Sequence, residues 1–306
     1  MSEHRSGFVA IIGRPNVGKS TLINALVGSK IAITSHHPNT TRSAIRGIVH
    51  GPDFQAVLVD TPGVHKPKTL LGHRLNAVVD QSMDSVDVII MCIPADETSG
   101  AGDLFISAEI AKHPRAKKFA VITKTDLISK DKLAIRLVGI MALAQGFVWD
   151  EIIPVSAAIH NQIDLLNSLI GNNLPVGPAY YPAGTTSDQA IEQLICEFIR
   201  EAALQDVREE LPHSIMVTID EFGEREEKGS RPFYDVHATI HVERDTQRAI
   251  LLGHQGTRLK EIGIRARADI ERALEAKIFL GLHIKVSKEW QRDPKLLERL
   301  GFGDNN

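Results

Sequence analysis

The first 170 residues show a regular alternation between short apolar runs and longer amphipathic stretches. Six runs rich in Val and Ile have the length and continuous hydrophobicity of strands buried on both faces. Five stretches carry apolar residues three and four positions apart, which is typical of amphipathic helices. This alternation predicts an α/β domain with a mostly parallel six-stranded sheet and helices on both faces. The predicted strands are Phe8–Gly13, Ala44–His50, Ala56–Asp60, Val86–Ile93, Lys118–Thr123 and Glu151–Val155, and the predicted helices are Lys19–Val27, Leu75–Met83, Asp103–Lys112, Lys130–Ala144 and Ile163–Ile170.

After residue 170 the pattern changes. Gly171–Ser187 is dense in Gly and Pro and has no periodicity, which is typical of a linker. The segments beyond it predict a second domain of α+β type. We therefore divide the chain into a first domain at 6–172, a linker at 173–187, a second domain at 188–290 and a C-terminal tail at 291–306. The predicted elements of the second domain are helix Gln189–Gln205, strands Ser214–Phe222 and Asp235–Val242, the apolar segment Gln247–Leu252, helix Thr257–Ala276 and strand Ile278–Val286.

Composition is that of a globular protein. Of the 306 residues, 43% are hydrophobic and 24% are charged, which is ordinary for a chain that buries a core. No apolar stretch reaches the roughly 18 residues that a membrane span requires. Cys92 and Cys196 match no metal-ligand spacing, so we expect neither a disulfide framework nor a zinc site. We therefore expect a cytoplasmic protein.

The net charge of −3 conceals an uneven distribution. Residues 1–187 carry 17 Lys and Arg against 15 Asp and Glu, and residues 188–306 carry 18 against 23. Within the acidic second part, Arg244–Lys288 holds 10 basic and 5 acidic residues. A local patch of this size favours binding to a short single-stranded nucleic acid, with a modest dependence on salt.

A phosphate-binding loop follows the first predicted strand. The segment GRPNVGKS matches G-x-x-x-x-G-K-[ST] and opens a predicted helix, as that motif requires. Its backbone N–H groups can surround phosphate oxygens, Lys19 can reach the β- and γ-phosphates as a catalytic group, and Ser20 can bind Mg²⁺. The predicted nucleotide-binding residues of this loop are Gly13, Arg14, Pro15, Asn16, Val17, Gly18, Lys19, Ser20 and Thr21.

Three further segments follow later predicted strands, where an open α/β sheet places its ligand crevice. In Asp60-Thr61-Pro62-Gly63, Asp60 can hold Mg²⁺ and the Gly63 N–H can contact the γ-phosphate. In Thr123-Lys124-Thr125-Asp126, Asp126 can accept hydrogen bonds from N1–H and the 2-amino group of guanine, while Lys124 covers the base. In Ser156-Ala157, the Ala157 N–H can serve the 6-oxo group. Adenine would leave Asp126 unpaired, so the set predicts GTP.

In this order the segments resemble the G motifs of translation-factor-class GTPases over residues 6–172. The resemblance places a first switch at Asn39–Arg42, where the class uses a Thr to bind Mg²⁺. Both Thr40 and Thr41 fit that position, and we favour Thr41 as the metal ligand and catalytic residue. The resemblance thus implies a GTPase that uses Mg²⁺.

Two positions depart from the common pattern of that class. Thr123 stands where Asn is commoner, which removes an amide that ties loops together. Val64 stands where many GTPases place a Gln that orients water, and Val has no polar atom for that task. We therefore expect slow hydrolysis. Two interpretations of Asn16 stand at even weight: recruitment of a stimulating K⁺, or closure of the turn alone.

The second domain contains a GxxG segment, Gly253-His254-Gln255-Gly256, between an apolar segment and a long helix. The context resembles a type II KH domain, whose GxxG loop clamps four single-stranded nucleotides by their backbone. His254 and Gln255 depart from the KH habit of a basic residue in this loop. The predicted RNA-binding residues are Gly253, His254, Gln255, Gly256, Arg258, Lys260, Arg265 and Arg267.

One GTPase domain followed by one KH domain resembles the bacterial Era family of ribosome-assembly GTPases over nearly the whole chain. The resemblance implies a monomer that binds 16S ribosomal RNA near its 3′ end and assists 30S subunit assembly and rRNA maturation. The resemblance also suggests peripheral association with the inner face of the cell membrane. Two alternatives stay open: an RNA-binding chaperone with vestigial hydrolysis, and a P-loop ATPase or nucleotide kinase, against which Thr123–Asp126 argues.

Overall fold

The computed structural model describes residues 3–34, 45–60, 83, 85–205, 215–225 and 231–288. These residues form two compact units. The first unit holds the described residues up to 32 and those from 45 to 188, and the second holds 33–34 and those from 189 onward. Each unit has its own hydrophobic core.

The first unit is built on a six-stranded sheet. Its strands are β1 (Arg5–Ile12), β2 (Ile45–His50), β3 (Phe54–Asp60), β4 (Val88–Pro94), β5 (Lys117–Thr123) and β6 (Glu151–Pro154). The strand order is β2-β3-β1-β4-β5-β6, with β2 antiparallel to β3 and the other pairs parallel. All seven residues of β4 are buried, which explains its unbroken apolar sequence. The predicted mostly parallel α/β sheet is confirmed.

Helices cover both faces of this sheet. They are α1 (Lys19–Val27), α2 (Ala101–Ala111), α3 (Lys130–Met141) and α4 (Ile163–Asn173). Leu22 of α1 and Leu166 of α4 belong to the core on one face, while Ile106 of α2 and Ile140 of α3 belong to the core on the other. The predicted helix Leu75–Met83 lies outside the described residues except for Met83.

The predicted linker is held by the first unit. The buried side chain of Gln55 accepts hydrogen bonds from the backbone N–H groups of Tyr180 (2.7 Å) and Tyr181 (2.9 Å). The Ile48 N–H donates to the carbonyl of Thr186 at 2.9 Å, alongside strand β2. This segment is therefore fixed by hydrogen bonds although its sequence has no strand or helix pattern.

The second unit packs three helices against one three-stranded sheet in the order α-β-β-α-α-β. Its elements are α5 (Ile191–Leu204), β7 (Met216–Arg225), β8 (Phe233–Val242), α6 (Asp245–Leu252), α7 (Thr257–Leu274) and β9 (Lys277–Val286). The sheet order is β7-β8-β9, with β7 antiparallel and β9 parallel to β8. This arrangement is the predicted α+β domain.

The apolar segment predicted at Gln247–Leu252 is part of helix α6. Its start is fixed by the Gln247 side chain, whose oxygen accepts from the N–H groups of Glu243 (2.8 Å) and Arg244 (3.1 Å). None of the helices in the described part of the chain combines the length and apolar character needed to cross a membrane.

Candidate nucleotide site and nucleic-acid interface

The sheet register brings the predicted nucleotide-binding segments to one edge. Ile11, near the end of β1, pairs with Asp60, the last residue of β3. Pro94 of β4 pairs with Thr123, the last residue of β5. Since β3 and β4 lie on opposite sides of β1, the loop after β1 stands at the point where the strand order diverges, which is where open α/β sheets bind ligands.

The phosphate-binding loop depends on two glycines. Gly13 has φ 154°, and a Cβ there would lie 2.8 Å from the carbonyl oxygen of Cys92. Gly18 has φ 95° and is the N-terminal cap of α1. Asn16, exposed at the tip of the loop, has φ 64°, a conformation that Asn tolerates better than most residues. The loop thus turns sharply into the N-terminus of α1, which favours anions.

Lys19 lies inside this loop. Its Nζ donates to the carbonyl oxygens of Gly13 (3.0 Å) and Arg14 (2.9 Å), and the side chain is 7% exposed. Burial lowers the pKa of the Lys19 ammonium, and the nearby Asp60 carboxylate opposes that shift. The loop therefore holds an ammonium group next to the α1 N-terminus, where phosphate oxygens would be stabilised.

Ser20 and Asp60 form a pair of oxygen donors. The Ser20 hydroxyl donates to Asp60 Oδ2 at 2.9 Å, and Asp60 is fully buried. Hydroxyl and carboxylate oxygens are the hard ligands that Mg²⁺ prefers. The chemistry of this pair fits a magnesium site beside the phosphate loop.

The side chains of the other residues in the predicted loop contact the protein itself or lie exposed at its surface. The Arg14 guanidinium faces away to Asp103 (2.8 Å) and Glu97 (3.0 Å), so its backbone rather than its charge belongs to the loop. Val17 is buried in the core, and Thr21 is exposed in the first turn of α1. Pro15 is half-buried in the loop, directly before Asn16.

The predicted base-recognition segment is held to the loop after β6 by hydrogen bonds. The Ser156 hydroxyl, fully buried, donates to Asp126 Oδ1 at 2.5 Å. The Thr125 N–H donates to the carbonyl of Val155 at 3.3 Å, joining the two loops through their backbones. Lys124 takes the left-handed conformation with φ 57°. Asp126 itself is exposed, with Ala157 next along the chain to Ser156.

Thr123 joins the end of β5 to the phosphate-binding loop through its hydroxyl. Its hydroxyl donates to the carbonyl oxygen of Val17 in the phosphate loop at 2.5 Å. The side chain is 4% exposed, so this hydrogen bond is shielded from water. The amide that Thr123 lacks is therefore replaced as a tie between these loops by a hydroxyl, and the effect on nucleotide affinity stays a prediction.

Several predicted site residues lie outside the described residues. They comprise the first switch and most of the segment after β3. Their roles stay predictions. They are Thr40, Thr41, Thr61, Pro62, Gly63 and Val64.

In the second unit, the GxxG segment forms a tight turn between α6 and α7. Gly253 has φ 68°, and a Cβ there would lie 2.8 Å from Cβ of Arg258. Gly256 has φ 79° and is the N-terminal cap of α7. His254 and Gln255 are exposed between them. The turn presents backbone and the α7 N-terminus to solvent, an arrangement suited to a sugar-phosphate chain.

A groove of about 480 Å³ begins at Gly256 and runs between α7 and the edge strand β9. Lys260 and Arg267 provide its positive charge. We call it the KH groove. Its apolar lining was not predicted, because it combines residues of α7 with residues of β9 that are distant in the sequence. The apolar lining residues are Leu259, Ile264, Phe279, Leu280 and Leu282.

Two predicted RNA-binding residues are engaged elsewhere. The Arg258 guanidinium donates to the backbone oxygen of Gln205 at 3.1 Å, and that of Arg265 to its side-chain oxygen at 3.1 Å. Neither Arg lines the KH groove. The structure thus divides these four basic residues of α7 into two pairs. Arg258 and Arg265, seven residues apart, contact Gln205, whereas Lys260 and Arg267, also seven residues apart, line the KH groove.

Comparison with protein families supports both units. A family described as "50S ribosome-binding GTPase" matches residues 8–124, and a family described as "KH domain" matches residues 210–291. GTPase Era of Streptomyces coelicolor is 52% identical over 302 residues, covering 98% of this chain and 95% of that protein. GTPase Era of Mycolicibacterium smegmatis is 52% identical over 303 residues, covering 99% and 100%.

Two solved structures resemble the whole chain. One is Era in complex with MgGDPNP and nucleotides 1506–1542 of 16S ribosomal RNA, with a TM-score of 0.91 and 34% identity over 98% of this chain and 99% of that one. The other is a variant of Aquifex aeolicus Era bound to GDP and AlF4⁻, with a TM-score of 0.89 and 33% identity over 98% and 99%. The similarity therefore extends across both units.

Proposed function

The chain belongs to the Era family of GTPases, and from this membership we propose a GTP-hydrolysing switch protein that binds the 3′ region of 16S ribosomal RNA and assists assembly of the 30S subunit and rRNA maturation. The proposal rests mainly on one observation: the same chain contains both a candidate guanine-nucleotide site and a candidate RNA site. In the first unit the Ser156 hydroxyl orients the Asp126 carboxylate, and in the second unit the GxxG turn lies at one end of a groove with basic side chains.

Guanine recognition rests on Asp126. Its carboxylate can accept from both N1–H and the 2-amino group of guanine, while the Ser156 hydroxyl occupies Oδ1 from the protein side. Lys124 stands beside it to cover the base, and Ala157 offers its N–H to the 6-oxo group. Hydrogen bonds to a charged group contribute about 1.5–3 kcal/mol each, so selection against adenine follows.

Phosphate binding and hydrolysis rest on the loop after β1. Lys19 and the N-terminus of α1 stabilise negative charge on the β- and γ-phosphates. Ser20 and Asp60 would hold Mg²⁺, joined by Thr41 (or Thr40) when GTP is bound. That ion, when bound, neutralises charge on the phosphate oxygens. With Val64 unable to orient water, turnover is slow, and Asn16 is placed at the exposed loop tip where it could recruit K⁺.

RNA binding rests on the KH groove. Gly253 and Gly256 let a sugar-phosphate chain approach the backbone, while Lys260 and Arg267 attract its phosphates. The apolar lining offers surfaces for bases. The similar Era structure contains 16S ribosomal RNA and matches both units, whereas the family described by 50S binding matches residues 8–124 only. We therefore assign the small subunit as the partner.

In the proposed cycle GTP favours the RNA-bound state and hydrolysis releases the RNA. We further propose a monomeric cytoplasmic protein, with membrane association to be tested by fractionation of cells. The alternative is an RNA chaperone whose nucleotide site does not turn over. The intact set of Lys19, Ser20 and Asp60 favours the switch.

The test measures GTP turnover and RNA affinity in the same preparation. We expect GTP, but not ATP, to be hydrolysed, and an RNA of nucleotides 1506–1542 to bind more tightly than a scrambled RNA of equal length. Tight RNA binding without any hydrolysis would favour the chaperone. Competition of bound GTP by ATP would favour the ATPase or kinase alternative.

A further inference from the structure

Asp103 is a fully buried carboxylate that contacts the phosphate-binding loop from outside the predicted nucleotide-binding segments. It lies in the first turn of α2, and its Oδ1 is 2.8 Å from Nε of Arg14. We propose that Asp103, acting through Arg14, is a positioning residue that fixes the phosphate-binding loop for GTP and GDP. This inference rests on the proposed nucleotide site and adds the start of α2 to it.

Arg14 is held at both ends. Its backbone carbonyl accepts from Nζ of Lys19 at 2.9 Å. Its guanidinium donates to Asp103 at 2.8 Å and to Glu97 at 3.0 Å. Because the Asp103 side chain is fully buried and that of Arg14 is 26% exposed, water and salt screen this pair less than an exposed ion pair. The Arg14–Asp103 pair therefore restrains the carbonyl group that holds Lys19.

Asp103 is itself fixed by the start of α2. Its Oδ2 accepts from the Gly100 N–H at 2.9 Å, and its own N–H donates to the Gly100 carbonyl at 3.0 Å. This reciprocal capping leaves Oδ1 for Arg14. Gly102 makes room for the contact, because a Cβ there would lie 2.8 Å from Cδ of Arg14. The Arg14 side chain thus passes directly over the backbone of α2.

The segment that leads into α2 also contacts the predicted base-recognition segment. The Ala95 N–H donates to the carbonyl of Thr123 at 2.9 Å, and Asp96 Oδ1 lies 4.0 Å from Nζ of Lys124. Glu97, next along the chain, contacts the phosphate-binding loop. Three consecutive residues thus connect the two parts of the proposed nucleotide site.

A loop that is fixed before the nucleotide arrives loses less conformational freedom on binding. The backbone N–H groups of the phosphate-binding loop converge on phosphates that GTP and GDP share. Loss of the Arg14–Asp103 pair should therefore weaken both nucleotides by the same factor. The catalytic rate kcat should change less than KM, because bound GTP itself holds the loop.

A double-mutant cycle on the full chain tests the pair. Arg14→Ala, Asp103→Asn and the combined variant are compared with Lys112→Ala, which removes an exposed ion pair with Glu109 on the same helix. Equilibrium titration gives the Kd of GTP and of GDP, and steady-state turnover gives KM and kcat. Thermal unfolding verifies that each variant is folded.

We expect Arg14→Ala to bind GTP and GDP each about fivefold or more weakly, with kcat changed by less than about twofold. Once Asp103→Asn is present, Arg14→Ala should have little further effect, since the contact is already lost. Lys112→Ala should bind as the unaltered protein does. Unchanged affinity in Arg14→Ala, or losses that multiply in the combined variant, would overturn the inference.

Two glycine variants test the same contact without a change of charge. Gly102→Ala places a methyl group where Cδ of Arg14 lies, whereas a Cβ at Gly139 in α3 meets no atom within 4 Å. Both exchanges favour a helix. We expect GTP binding to weaken about threefold or more in Gly102→Ala, without loss of stability, and to stay unchanged in Gly139→Ala.

The glycine variants also decide the matter if Arg14→Ala does not fold. Equal GTP affinities of Gly102→Ala and Gly139→Ala would then overturn the inference. Failure of the unaltered protein to bind either nucleotide would instead contradict the proposed nucleotide site itself.

Discussion

Asp126→Asn tests the assignment of the base site. The exchange removes a negative charge that would accept two hydrogen bonds from guanine, each contributing about 1.5–3 kcal/mol. Loss of both corresponds to about 3–6 kcal/mol, or roughly 10²- to 10⁴-fold in affinity. Asp126 is exposed before nucleotide binds, so water competes for its carboxylate and we expect the lower end, about 100-fold. The Ser156 hydroxyl can still donate to an amide oxygen, so the side chain keeps its position.

The assay is equilibrium titration of GTP and XTP with fluorescent analogues. The Asn amide donates where guanine also donates, but it matches the 2-oxo group of xanthine, so XTP should bind more tightly to the variant than GTP does. Asp131→Asn, an equal charge change on exposed α3, is the matched control and should leave both affinities unchanged. Unchanged GTP affinity in the Asp126 variant would refute our placement of the base site.

Three further predictions concern other contacts. Thr123→Val leaves the buried Val17 carbonyl without its 2.5 Å donor and should lower the free energy of unfolding by about 1–3 kcal/mol in urea titration. Thr123→Asn should lower it less. Equal stability of both variants and the unaltered protein would contradict a stabilising Thr123–Val17 hydrogen bond. A Cβ at Gly256 would meet no atom within 4 Å, although φ 79° strains any side chain there. Gly256→Asp places a carboxylate where RNA phosphate should pass, so RNA affinity should fall at least tenfold in an anisotropy titration, and retained affinity would show that the GxxG turn is not the clamp. If Asn16 recruits a cation, GTP turnover at saturating Mg²⁺ should be faster in K⁺ than in Na⁺, whereas equal rates would leave Asn16 as a turn residue.

Sequence periodicity was sufficient to predict the described strands and most of the described helices of both units. Buried parallel strands such as Val88–Pro94 are continuous apolar runs, so length and spacing alone identify them. The α6 helix was harder, because its start depends on the Gln247 side-chain cap rather than on a long amphipathic pattern. The linker was recognised by composition, but its attachment depends on Gln55, which lies 125 residues from Tyr180.

In the candidate sites, too, features that depend on neighbouring residues could be predicted, and contacts between residues distant in the sequence could not. Phosphate-loop residues are contiguous, so their spacing carries the motif, and the loop after β1 has the expected geometry. The Thr123–Val17 hydrogen bond joins residues 106 positions apart and could not be read from either segment. Charge alone could not separate Arg258 and Arg265, which bind Gln205, from Lys260 and Arg267, which line the KH groove.

Crosslinking of the full chain to total cellular RNA, with a non-hydrolysable GTP analogue and with GDP, tests most directly whether nucleotide state controls RNA binding. We predict that crosslinks concentrate in the 3′ region of 16S ribosomal RNA and are more abundant with the GTP analogue. The same crosslink distribution with both nucleotides, or one without enrichment in that region, would contradict a GTP-controlled 16S-binding protein.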